Sequence, residues 1–158
     1  AEAWEYFVRT EPGDGFAGRT VGRTVWSREA RDRGPVLEDP GRCGRLGVSF
    51  CAPLDRYLCV RVLRGGRDGL EGGIAASEAV EPWGPWRTFH VSERWDVPPG
   101  ETASFPAKWM GADGTTLHLV FSGGDSFSVR RAELVLSHRR GAVPRAAGPR
   151  RSSRSRPR

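Results

Sequence analysis

Residues 81–136 read EPWGPWRTFHVSERWDVPPGETASFPAKWMGADGTTLHLVFSGGDSFSVRRAELVL. The Pro82–Trp86 corner carries two prolines, each of which fixes φ and removes a backbone donor, so neither a helix nor a central strand runs through it. Beyond it, Leu117, Leu119 and Phe121 recur two apart, which places them on one face of an extended segment over 116–122. ADGTT ahead of that segment and SGGDS behind it are turn sequences. The stretch is therefore strand, turn, strand, turn, strand. The preceding strand is expected over Phe105–Met110 and the following one over Phe127–Leu136. In the latter, Phe127 and Val129 are odd-numbered, while Ala132, Leu134 and Leu136 are even. A β-bulge near Arg130–Arg131 is expected to absorb that slip.

Moving toward the N-terminus, the same grammar continues. Trp4–Arg9 and Val25–Ser27 are β-prone, separated by a glycine-rich loop. Arg28–Arg45 reads as loop. Leu46–Cys51 and Tyr57–Val62 form a hairpin across APLDR, and the second is apolar on both faces, as a strand inside a stack of sheets is. Ile74–Ser77 and Arg87–Val91 flank the Pro82–Trp86 corner. Asp55 and Asp113 occupy corresponding turns, which makes a weak internal repeat. Repeated antiparallel units of this kind point to an all-β chain and a partial β-propeller, with four-stranded blades of about 40–50 residues. On that measure residues 1–136 hold about two to three blades. Open blades leave apolar faces and strand edges uncovered, and self-association is expected from them.

Composition narrows the function classes. Glycine and proline are frequent (21 and 12 of 158 residues), which favours turns and short strands over long helices. No apolar run approaches the roughly 20 residues of a membrane helix. Nothing at the start reads as a signal segment. The net charge of +6 is carried by the tail. Residues 137–158 hold eight arginines and no acid, so taking 8 from 25 leaves 17 basic against 19 acidic residues in 1–136, a net of −2. The tail cannot bury a core and is expected to be disordered. With a slightly acidic body and no recognition motif, nucleic acid is not expected as a partner. Cys43, Cys51 and Cys59 lack metal-ligand spacing, and no metal or cofactor is expected. Cys51 and Cys59 flank the APLDR turn, where a cross-strand disulfide competes with the plainer reading of small buried residues.

With these residues in view, the chain resembles a bacterial family of five-bladed β-propeller domains of unknown function, related in architecture to furanosidase-type glycoside hydrolases. The shared features are Trp4–Phe7, Trp26–Ser27, Asp55–Leu58, Glu81–Trp86, Trp95–Asp96, Gly100–Glu101, Phe105–Met110 with Asp113–Gly114, and Val120–Arg131. Gly124 followed by Asp125 departs from the consecutive acids that the family tends to carry there, and the tail lies outside its pattern. The resemblance implies that residues 1–136 are the C-terminal blades of such a domain, with the earlier blades supplied by further chain. A carbohydrate-active or carbohydrate-binding role follows from it, with little hydrolysis by this stretch alone.

The candidate site residues are few. Glu101 is the candidate catalytic carboxylate, since glycosidases use a pair of them; Asp125 and Asp96 are candidate partners, and a solvated loop acid is the plainer alternative. Lys108, the only lysine, and Trp109 are candidate ligand-binding residues. Strand alternation would aim just one of them at a central funnel. Asp125 either binds ligand or caps its turn. Trp83 and Trp86 suit core packing better than sugar stacking. His90, His118 and His138 share no useful spacing, and His118 is expected on the face opposite Leu117 and Leu119 in a structural role.

Overall fold

A computed structural model of the chain describes residues 4–11, 22–63, 72–94, 100–123 and 125–137. The strands are β1 (Tyr6–Glu11), β2 (Arg23–Ser27), β3 (Cys43–Cys51), β4 (Arg56–Leu63), β5 (Gly73–Ala79), β6 (Arg87–Ser92), β7 (Gly100–Ser104), β8 (Thr116–Gly123) and β9 (Ser126–Glu133). They form three antiparallel sheets: β1–β2, β3–β4–β5–β6 and β7–β8–β9. The fold is all-β; among the described residues helical structure is limited to 3₁₀ turns at 30–32, 52–54 and 107–109. Among the described residues each sheet is open at both edges, and only the second has the four strands expected of every blade. The tail from 138 onward lies outside the described residues.

The hydrophobic core lies between the second and third sheets. β4 offers Leu58, Val60 and Val62, and β5 adds Ile74 and Ala76. Ala103, Phe105, Leu117, Leu119 and Phe121 meet them from the third sheet. Leu58 and Leu117 are fully buried, each contributing about 1.5–3 kcal/mol through the water it leaves. The sheets approach most closely where β3 passes β7. A Cβ at Gly47 would lie 2.4 Å from the Ala103 carbonyl oxygen, so only glycine permits this spacing. The turns that follow β3 and precede β8 also stack. Gly114, at φ +73°, packs on Leu54, Pro53 and Cys51. The turns of the sequence repeat, around Asp55 and Asp113, are thus neighbours in space.

The other face of the second sheet buries Cys59, Arg61, Leu63, Ala75, Ser77 and Ala79. The β2–β3 connection crosses this face, where Asp39 reaches Arg61. It is tied to the first sheet by the Gly34 amide, which donates to the Phe7 carbonyl at 2.8 Å. Trp26 of β2 meets Trp83 edge-on, ring centroids 5.0 Å apart, and Phe7 meets Trp26 at 6.0 Å. The Pro82–Trp86 corner therefore joins the first and second sheets, which is the packing role its sequence favours. The Trp86 indole nitrogen is buried without a hydrogen-bond partner.

Three expectations are corrected. Phe105–Met110 is not a strand. The strand lies earlier, at Gly100–Ser104, and Ala107–Trp109 is a 3₁₀ turn in which the Trp109 amide donates to the Pro106 carbonyl. Pro106 has no N–H for a ladder, and its fixed φ starts the turn. The bulge at Arg130–Arg131 is also absent. β8 and β9 pair in one uninterrupted register from Thr116↔Glu133 to Gly123↔Ser126. Phe127 and Val129 instead face outward, so no slip is needed. Finally, Cys51 and Cys59 do not bridge. Cys59 pairs with Val48 and Cys51 with Arg56, which sets the two thiols on opposite faces, and all three cysteines are free. Cys51 and Cys59 are buried, whereas Cys43 is exposed.

Candidate functional site

The Ala107–Trp109 turn brings Lys108 and Trp109 to the surface beside the crowded β3–β7 edge. Both are exposed, and Trp109 keeps 47 % of its surface open. The turn is held from below. His118 lies opposite Leu117 and Leu119, as strand alternation requires, and its Nδ1 sits 2.8 Å from the Trp109 carbonyl oxygen. Only the Nδ1–H tautomer can donate that bond. The two rings meet edge-on at 6.4 Å and 87°. His118 thus positions the indole while leaving much of it free. Because both residues sit on one turn, they are not divided between opposite strand faces as the sequence suggests.

Next along the chain, Asp113 closes the turn before β8. Its carboxylate accepts from the Thr115 amide at 2.9 Å and from the Thr115 hydroxyl at 2.5 Å. These bonds, that of the hydroxyl foremost, hold the Asp113 carboxyl below its ordinary pKa. The geometry is that of an Asx turn.

The carboxylate candidates stand at the other end of the third sheet. Glu101 falls at the irregularity between Gly100 and Thr102, where Gly100 pairs with Gly123. Asp125 is in the β8–β9 turn with φ 57°, a left-handed conformation that Asp tolerates better than most residues. The Ser126 hydroxyl bridges that turn by donating to the Gly123 carbonyl at 2.8 Å. Five residues of β8 separate His118 from Gly123, about 17 Å of strand. In the backbone register, Gly100 and Gly123, the neighbours of these two candidates, meet at the end of β8 away from His118. Asp96 lies outside the described residues.

One charged pair escaped the sequence reading. Arg61 is 6 % exposed in the middle of β4, and its Nη2 donates to Asp39 Oδ2 at 2.8 Å. Its Nε and Nη1 have no hydrogen-bond partner. Asp39 also lines an open cleft of about 360 Å³ with Leu37, Glu38, Pro40, Gly41 and Cys43. On the same sheet face, burial pushes the Cys59 thiol up to about 11, with Arg61 pulling the other way. Cys59 is accordingly an un-ionised, inert thiol at neutral pH. An arginine within the run LCVRVL was the available signal, since a buried guanidinium demands a carboxylate.

Among the described residues no cluster of His, Cys, Asp and Glu is assembled that would hold a metal ion. Nor is any helix there long and apolar enough to cross a membrane. No known protein family, curated protein or solved structure matches the chain.

Proposed function

We propose that the second and third sheets are consecutive blades of a propeller-type domain, and that the domain binds carbohydrate at the edge where β3 and β7 meet. The observation that carries this reading is the Trp109 indole. It is fixed from one side by His118, is half open to solvent, and stands beside a lysine at the rim of two stacked sheets. A rigid aromatic surface with a cationic neighbour suits a sugar ring and its hydroxyls, because the indole loses little entropy on binding. The equivalent turns around Asp55 and Asp113, stacked at Gly114, support the blade assignment.

Binding is favoured over hydrolysis. Glycoside hydrolysis uses two carboxyl groups about 5–5.5 Å or about 6.5–9.5 Å apart across the scissile bond. Glu101 and Asp125 are the paired candidates, and their backbone positions are beside the Gly100↔Gly123 end of the third sheet, whereas the indole is held by His118 further along β8. Catalysis by a larger domain would have to draw on other carboxylates.

Calorimetric titration with a panel of furanose and pyranose oligosaccharides tests the proposal, run on the wild-type chain and on Trp109→Ala. The expected result is binding of at least one sugar class, weakened about tenfold or more by the substitution, equivalent to about 1.4 kcal/mol. No binding by the wild type, or equal binding by both, overturns it. Aryl-furanoside and aryl-pyranoside hydrolysis, assayed in parallel, is expected to be absent. Turnover lost in Glu101→Gln would return the reading to an enzyme.

A further inference from the structure

We infer that the Trp109 site selects acidic sugars, with Lys108 taking the carboxylate of a uronic acid whose ring lies on the indole. The inference rests on the carbohydrate reading and names the class of sugar.

The backbone fixes where Lys108 starts. Phe105 is buried in the core and Met110 packs against it, so the turn between them is pinned at both ends. Within it the Trp109 amide donates to the Pro106 carbonyl at 3.0 Å, and the Met110 amide to the Ala107 carbonyl at 3.3 Å. With both flanks anchored inward, Lys108 and Trp109 are left outside, and both are exposed. Consecutive Cα atoms stand about 3.8 Å apart. The flexible four-carbon stem of the lysine lets its ammonium reach a group carried by a ring on the neighbouring indole.

The charge of Lys108 is not used within the fold. Arg9, Arg87 and Arg131 are exposed too, yet each meets a glutamate. Among the described residues no acid meets Lys108. The acids that flank the same part of β8 are already engaged. Asp113 accepts from the Thr115 amide and hydroxyl. Glu133, which pairs with Thr116, is held by Arg131 and lies 3.3 Å from the Thr116 hydroxyl. Arg131 stands opposite His118 in the register and so shares the sheet face that carries the imidazole. Its guanidinium neutralises Glu133 there, and the charge of Lys108 is left for a ligand.

A neutral sugar draws on the indole and on a hydrogen bond to the ammonium. A uronic acid adds a full negative charge at the rim of the same ring. The same cation disfavours a sugar with a free amino group, because like charges repel. An ion pair that stays partly in water is weak and is screened by salt. The preference for the acidic sugar is therefore expected to be about two- to fivefold at low salt and to shrink as salt is added.

Titration calorimetry at neutral pH tests this with matched pairs: an oligoglucuronate against the glucose oligomer of the same linkage and length, and an oligogalacturonate against its galactose counterpart. In at least one pair the acidic oligomer is expected to bind the wild type about two- to fivefold more tightly. Lys108→Gln should bring that ratio close to one, and Lys108→Arg, which keeps the charge, should retain most of it. The side chain is exposed, so both variants should fold, which circular dichroism checks. Lysine-selective acylation followed by peptide mass spectrometry is a second readout. Lys108 is the only lysine in the sequence, and the acidic oligomer is expected to slow its modification more than the neutral one. A ratio at or below one in both pairs overturns the inference, as does a ratio that survives Lys108→Gln. In either case, binding that Trp109→Ala weakens leaves the carbohydrate reading standing. A wild type that binds none of these oligomers also overturns the inference, and if the furanose and pyranose panel is silent as well, the carbohydrate reading falls with it.

Discussion

Arg61 shows what a single residue demands of a sheet interior. A guanidinium on a central strand, 6 % exposed, is met by one oxygen of Asp39 and leaves two nitrogens idle. The pair is therefore a poor source of stability, because the desolvation of two charges is only partly offset. Its two members are not equivalent. Asp39→Ala strands a buried cation and is expected to cost about 3–5 kcal/mol. Arg61→Met frees an aspartate that water already reaches, and fills the same space with apolar atoms, so a smaller loss or none is expected. Urea denaturation of the two variants checks the asymmetry; equal losses would mean that Arg61 is better solvated than its burial indicates. None of this was read from the sequence. Arg61 stands in a run otherwise apolar, but Asp39 is 22 residues away in a segment read as loop. By contrast, the outward placement of His118 was legible from alternation alone. Its bond to the Trp109 carbonyl was not, since that depends on where the 107–109 turn falls.

At the scale of the element, Pro106 and Gly47 decide more than the apolar pattern does. The apolar pattern suggests a strand through Phe105–Met110; β7 instead ends at Ser104, and Pro106, which lacks a ladder donor, leads into the 107–109 turn. That shift moves Lys108 and Trp109 from opposite faces of a strand to one exposed turn. Gly47 sets how near β3 and β7 come. Gly47→Val would drive side-chain atoms into the Ala103 carbonyl and the Ser104 side chain, at 2.4 and 2.9 Å from the new Cβ. Overpacking of this kind typically costs about 1–3 kcal/mol, and the backbone at the contact leaves little room to relax. Chemical denaturation should show a loss of that size, and an unchanged midpoint would mean that the two sheets are not held in contact there. In β9 the outward apolar pair Phe127 and Val129 mimics a change of parity in the sequence. Both face outward on a strand whose register never slips.

For the whole molecule, stability is expected to be unequal along the chain. β4 and β5 are buried on both faces and flanked by strands on both sides, and β8 is flanked on both sides and contributes three core residues. β1 and β2 form a two-stranded sheet, and such sheets are marginal on their own. Amide hydrogen exchange should therefore be slowest in β4, β5 and β8 and fastest in β1 and β2. Uniform exchange across the three sheets would contradict this gradient.

The sequence by itself determined the all-β character, nearly every strand of the first and second sheets, the inward face of β8 and the packing role of the Trp-rich corner. Those follow from local rules: alternation of side chains, turn chemistry, and the rigidity of proline. The tertiary structure decided how the strands divide into sheets of two, four and three, the burial of Arg61 against Asp39, and the gathering of Lys108 and Trp109 on one exposed turn. These depend on which distant segments meet, and pairing energies along a strand do not record what lies above it. The same reason hides the exposure of Val48 and Phe127 in the sequence. An exposed apolar side chain has the same chemistry as a buried one, and only the packing around it tells them apart.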